Sequence, residues 1–149
     1  MKITFTKHPE KTTIKYTKSD WNTGFYNVSG FFVFHDIMHL AVEKTLNMKN
    51  GFYGILYNWI TIEDFQQAWA SQKIAIPDSW VELFVQHVSS IYNGLLENTI
   101  DHIPGKYIEM REYSQKKQDE ILEKAREMLN DWESVEVWGE REREVEIEM

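Results

Sequence analysis

Lys2-Ile3-Thr4-Phe5-Thr6-Lys7-His8-Pro9-Glu10-Lys11-Thr12-Thr13-Ile14-Lys15-Tyr16-Thr17 decides the fold class. Ile3 and Phe5 alternate with polar residues, as do Ile14 and Tyr16, and His8-Pro9-Glu10-Lys11 lies between the two runs. Alternation of period two places each apolar pair on one face of a strand, so the segment predicts a β-hairpin over about 2–6 and 12–17. Glu144-Val145-Glu146-Ile147-Glu148-Met149 alternates just as strictly after a turn near Gly139. Its glutamates suit pairing beside the Lys- and Thr-bearing hairpin, which closes a small antiparallel sheet. The expected fold is α+β: this sheet packed against about four to five helices, with residues 1–149 forming one domain.

The helices follow from period and punctuation. One is expected from about Phe34 to Leu46, ending near Asn47 or Asn50-Gly51. Residues 51–59, aromatic-rich with Gly51 and Gly54, suggest a short tight helix. Thr61 fits a helix cap ahead of Phe65, Ala68 and Trp69. Ser79 and Glu82 have capping-box spacing, and Trp80, Leu83, Phe84, Val88, Ile91 and Leu95 then recur at helical period over 79–96. A last amphipathic helix, 114–132, places Ile121, Ala125, Met128, Leu129 and Trp132 on one side. Residues 18–30, rich in Ser, Asp, Asn and Gly, read as a loop.

Composition narrows the function classes. Hydrophobic residues make up 42% of the 149 positions, enough for a core that needs no metal to fold. A metal here would therefore be functional before it is structural. The net charge of −8 repels a phosphate backbone, which argues against nucleic acid. The absence of cysteine excludes disulfides, thiolate catalysis and Cys-ligated zinc. The densest apolar run, Phe31-Phe32-Val33-Phe34, is far too short to cross a bilayer, and the opening residues carry no stretch of signal-peptide length. The expectation is a cytoplasmic protein with no membrane partner.

Chemistry concentrates in His35-Asp36-Ile37-Met38-His39. With His35 at zero on a helical wheel, His39 falls at about 40°, Glu43 at about 80° and Asp36 at about 100°. Ile37, Met38, Leu40, Ala41, Val42 and Leu46 fill most of the remaining circumference, so the ionisable stripe faces a cleft or its edge. Two histidines one turn apart form a natural chelate for a divalent metal, zinc before others. Glu43 is either a third ligand or a hydrogen-bond partner for the far nitrogen of a ligating imidazole. As a ligand beside His35 it is too distant, since eight residues rise about 12 Å along a helix. The metal ligands expected are His35, His39 and, from another helix, His87, which sits on the apolar face of 79–96. Glu63, Asp64 and His102 are the weaker options. Asp36 and Glu43 are the catalytic candidates, Asp36 by orienting a ligand or a metal-bound water.

The segment resembles the His-Glu-x-x-His zinc motif of metalloproteases, with Asp36 in the glutamate position and a reach shorter by about 1.5 Å. It is also similar to the His-Asp-x-x-His motif of the zinc-binding protein family of ubiquinone biosynthesis, where a glutamate follows after eleven residues; here that count reaches Gly51. More broadly, His35-Asp36-x-x-His39-x-x-Val42-Glu43, then Leu46 and Gly51-Phe52-x-Gly54, resembles a family of uncharacterised bacterial proteins. That likeness implies a short opening strand and a closing Gly-turn and strand, with no activity attached.

The stripe admits three readings: a metal or catalytic site, a structural polar network under the sheet, or a solvated face. The leading expectation is a divalent-metal-binding protein, a metal-dependent hydrolase in its strongest form, acting on a small-molecule ligand. The alternative is a metal-free binding or interaction protein whose histidines are structural. Phe52, Tyr53, Tyr57 and Trp59 read as core that would double as the apolar wall of a pocket. Glu140 to Glu144 reads as a solvated strand or turn. Helix 114–132 offers Trp132 to a homodimer, with packing on its own domain as the rival reading.

Overall fold

The computed structural model describes residues 1–18, 21–48, 52–53, 80–101 and 113–144. In chain order it holds β1 (Lys2–Lys7), β2 (Thr12–Thr17), β3 (Thr23–Val28), α1 (Gly30–Thr45), α2 (Trp80–Tyr92), α3 (Gln115–Glu133) and β4 (Glu140–Glu144). The α+β class therefore holds, with three helices among the described residues. The helices expected at 51–59 and from Thr61 lie outside those residues, apart from Phe52 and Tyr53.

The strands form one antiparallel sheet in the order β3-β2-β1-β4. The register sets Ile3 against Tyr16 and Phe5 against Ile14. All four side chains are buried, so the alternation gives the sheet one dry face, as period two requires. On the other face Lys2 Nζ stands 3.4 Å from Glu142 Oε1, and Thr6 donates to Glu140 Oε1 at 3.4 Å.

One expectation about strands is corrected, and another falls largely outside the described residues. Glu140–Glu144, read as a strand or turn, is the strand β4, while residues 145–149 of the strand expected over 144–149 lie outside the described residues. The Glu-Arg run serves because the two faces of β4 meet different partners. Glu140 and Glu142 lie opposite Thr6 and Thr4, while Arg141 and Arg143 lie opposite Phe5 and Ile3 and reach Asp131 of α3. Residues 18–30 are not a loop: Thr23–Val28 is the edge strand β3. Its weak β-formers are tolerated because Gly24 lies opposite Tyr16, whose ring covers the bare backbone, while Tyr26 and Val28 pack on the core.

Helix α1 begins four residues earlier than expected, after Ser29 in extended conformation (φ −79°, ψ 167°). It ends where the sequence indicated. Asn47 is left-handed (φ 50°), its N–H reaches Lys44 O, and Met48 N–H reaches Glu43 O, a Schellman arrangement. Helix α2 stops at Tyr92 instead of 96, since Gly94 adopts φ 74° and turns the chain. Its buried face is Val81, Phe84, Val85, Val88 and Ile91, whereas Leu83 and Leu95 point outward. Helix α3 matches its forecast closely: Ser114 caps it by accepting from Lys117 N–H, and Ile121, Ala125, Met128 and Leu129 are buried. Trp132 packs on its own chain, 5.9 Å from the Phe5 ring and under Lys7 Nζ at 4.6 Å.

These elements leave α1 in the middle. It packs against α2, α3 and the sheet, and Val33, Ile37, Met38, Leu40, Ala41 and Val42 are all buried. Burying an aliphatic side chain of this size contributes about 1.5–3 kcal/mol. The polar stripe of α1 is enclosed too, because Asp36, His39 and Glu43 are each under a tenth exposed. A solvated face is excluded.

Candidate metal centre

Three residues of α1 and α2 meet at one place in the fold. His35 and His39 project from consecutive turns of α1, ring centroids 4.7 Å apart and nearly perpendicular. Glu82, in the first turn of α2, lies across from both. Its Oε1 stands 2.9 Å from His39 Nε2, and its Oε2 stands 3.3 Å from His35 Nε2. One donor atom from each of the three residues lies within 4.8 Å of the other two. Ligands of one tetrahedral zinc, at about 2.0–2.1 Å from the ion, are about 3.3 Å apart.

The far side of His39 is fixed. Nδ1 lies 3.2 Å from Glu43 Oε2, and Glu43 Oε1 accepts the backbone N–H of Tyr53 at 3.1 Å. The Tyr53 hydroxyl donates to the Asp36 carbonyl at 3.1 Å. Asp36 itself turns toward the sheet, where its Oδ2 accepts from Tyr26 at 3.3 Å. Phe52 lies 5.7 Å from the His39 ring, and Phe52 and Tyr53 pack in the core as expected, while Tyr57 and Trp59 lie outside the described residues.

Electrostatics follow from burial and pairing. Burial pulls the His39 pKa down, but the hydrogen bond to Glu43 and the negative charges of Glu43 and Glu82 outweigh it and hold the ring at about 9. Burial raises Glu82, yet the two histidines overcome it and hold the carboxyl at about 2. Asp36 goes to about 6, because desolvation exceeds the opposing pull of His39, His35 and the Tyr26 hydroxyl. Burial likewise raises Glu43, against His39 and the Tyr53 N–H.

Although His39 Nε2 is 2.9 Å from Glu82, the oxygen lies off the ring's N–H direction, so this fully buried nitrogen makes no directed hydrogen bond. That is unusual for a nitrogen shut away from water. The cluster is closed at His39 and open at its other side, with side-chain exposures of 2% at His39, 31% at His35 and 25% at Glu82.

The structure thus brings His35 and His39 together and adds Glu82. His87, five positions further along α2, is outside this group; its ring stacks 6.2 Å from Phe84. Glu63, Asp64 and His102 lie outside the described residues. Sequence reasoning treated Glu82 only as the capping partner of Ser79. The overlooked signal is its place between Val81 and Val85, both buried, on the border of the apolar face. No family model, no curated protein and no solved structure matches the chain.

Proposed function

We propose that the protein binds a divalent metal ion, zinc before others, between α1 and α2, with His35, His39 and Glu82 as ligands. One observation carries this reading: a donor atom of each converges on the other two within 4.8 Å, around a buried imidazole nitrogen with no directed hydrogen bond. Two imidazoles and a carboxylate are a common donor set for zinc and for non-haem iron. Three protein ligands leave a coordination position free, as in catalytic rather than structural sites. The more exposed His35–Glu82 side is where a small molecule would approach. A metal so held supplies Lewis acidity, and hydrolysis is the reaction class it fits. Asp36, whose Oδ2 accepts from Tyr26 on the sheet side, acts on the two histidines through its charge alone.

A second reading has its own support. With its ring held at about 9, His39 as an imidazolium between Glu43 and Glu82 forms a charge-compensated buried group without any ion. Elemental analysis of protein purified without a histidine tag separates the two. The metal reading expects about one zinc, iron or manganese per chain, lost in His39→Ala and in Glu82→Gln. If no ion is retained or taken up, and His39→Ala only lowers the melting temperature, the polar-network reading replaces it.

A further inference from the structure

Resting on that reading, we infer that Glu43 is the positioning carboxylate of the centre, holding His39 in the tautomer that turns Nε2 to the metal. Glu43 is 2% exposed, and both its oxygens are committed away from the ion: Oε2 to His39 Nδ1 and Oε1 to the Tyr53 backbone N–H. An ionised carboxylate only accepts hydrogen bonds, so the ring presents a proton to it at Nδ1. A metal ion that displaces the second ring proton then finds the lone pair of Nε2, and it is this atom that faces Glu82 Oε1 at 2.9 Å. Two acceptors at that distance repel unless a cation lies between them. A proton on Nε2 is poorly aimed at the oxygen, whereas a metal ion takes a lone pair from each side.

Tyr53 makes the arrangement more than a chance pairing. Its N–H fixes one oxygen of Glu43, and its hydroxyl donates to the carbonyl of Asp36, one turn before His39. The ring, its carboxylate and the residue behind the carboxylate form one chain of bonds anchored at both ends to α1. Metal-ligating histidines are commonly oriented in this way, and losing the carboxylate weakens metal binding about 10–100-fold.

The test uses the full chain without a tag, loaded with zinc for NMR and with cobalt(II) for optical spectra. In the wild type, 15N-labelled histidine is expected to show His39 Nε2 metallated and Nδ1 protonated. Glu43→Gln is expected to bind zinc about 10–100-fold more weakly, with an altered cobalt(II) ligand-field spectrum. Metallation at Nδ1, or a Glu43→Gln variant with wild-type affinity and spectrum, overturns the assignment of Glu43 and leaves the metal reading standing. A wild-type chain that binds neither ion overturns both. Should Glu43→Gln fail to fold, the wild-type tautomer decides.

Discussion

Replacing Gly24 with alanine perturbs a site where the geometry gives the cost. A Cβ built on Gly24 would overlap the Tyr16 hydroxyl oxygen, Cζ and Cε1. All three are well inside van der Waals contact, and they belong to one rigid ring. Tyr16 is 5% exposed and packed in the core, so the ring cannot swing aside freely. Overpacking of this kind costs about 1–3 kcal/mol. For a chain of this size, 2 kcal/mol lowers the melting temperature by about 4–8 °C. Tyr16→Phe removes only the nearest atom and should not rescue the variant. Tyr16→Leu removes the whole obstruction, and in that background Gly24→Ala should become neutral or stabilising by about 0.5–1 kcal/mol, the usual gain from replacing a strand glycine. Urea titrations of the four proteins in this cycle give the coupling directly, expected at about 1.5 kcal/mol or more. A Gly24→Ala change of equal size in both backgrounds would refute the packing argument.

Ser114→Ala removes the oxygen that accepts the Lys117 N–H and should cost about 0.5–2 kcal/mol in urea unfolding, with the slope unchanged. Asp131 is held below its ordinary carboxylate value by hydrogen bonds from Arg143 and then Arg141, so its contribution is present above the unfolded pKa of about 4 and lost as pH falls through the lowered folded value. The pH dependence of melting should therefore flatten below about pH 4 in Asp131→Asn, and the difference between the proteins should shrink in about 1 M salt. Zinc at about 100 times its dissociation constant should stabilise the fold by about 2.7 kcal/mol, a rise of about 5–11 °C in differential scanning calorimetry that EDTA reverses and His39→Ala lacks.

The hairpin and α3 were legible because both are governed by local rules: strict alternation at Ile3, Phe5, Ile14 and Tyr16, and a capped apolar stripe from Ser114 onward. β3 was hidden because its Gly24 and Asn27 are poor strand formers; the Tyr16 ring accounts for Gly24, and the Thr13 hydroxyl donating to Asn27 Oδ1 accounts for Asn27. The far end of α2 was overextended because Leu95 continues the helical period, and the left-handed Gly94 breaks the helix before it. The convergence of His35 and His39 follows from helical spacing alone. Glu82 does not, since its encounter with them depends on how α2 crosses α1, which no local pattern encodes.

The pairing of β1 with β4 also bears on the order of assembly. Lys2 meets Glu144 and Thr6 meets Glu140, so the outer edge of the first strand is completed by residues more than a hundred positions downstream. At about 5–20 residues per second of synthesis, that edge waits roughly seven to twenty-eight seconds after leaving the ribosome for its neighbour to emerge. Lys2, Thr4 and Thr6 along it are polar, which discourages pairing with other nascent chains during the interval.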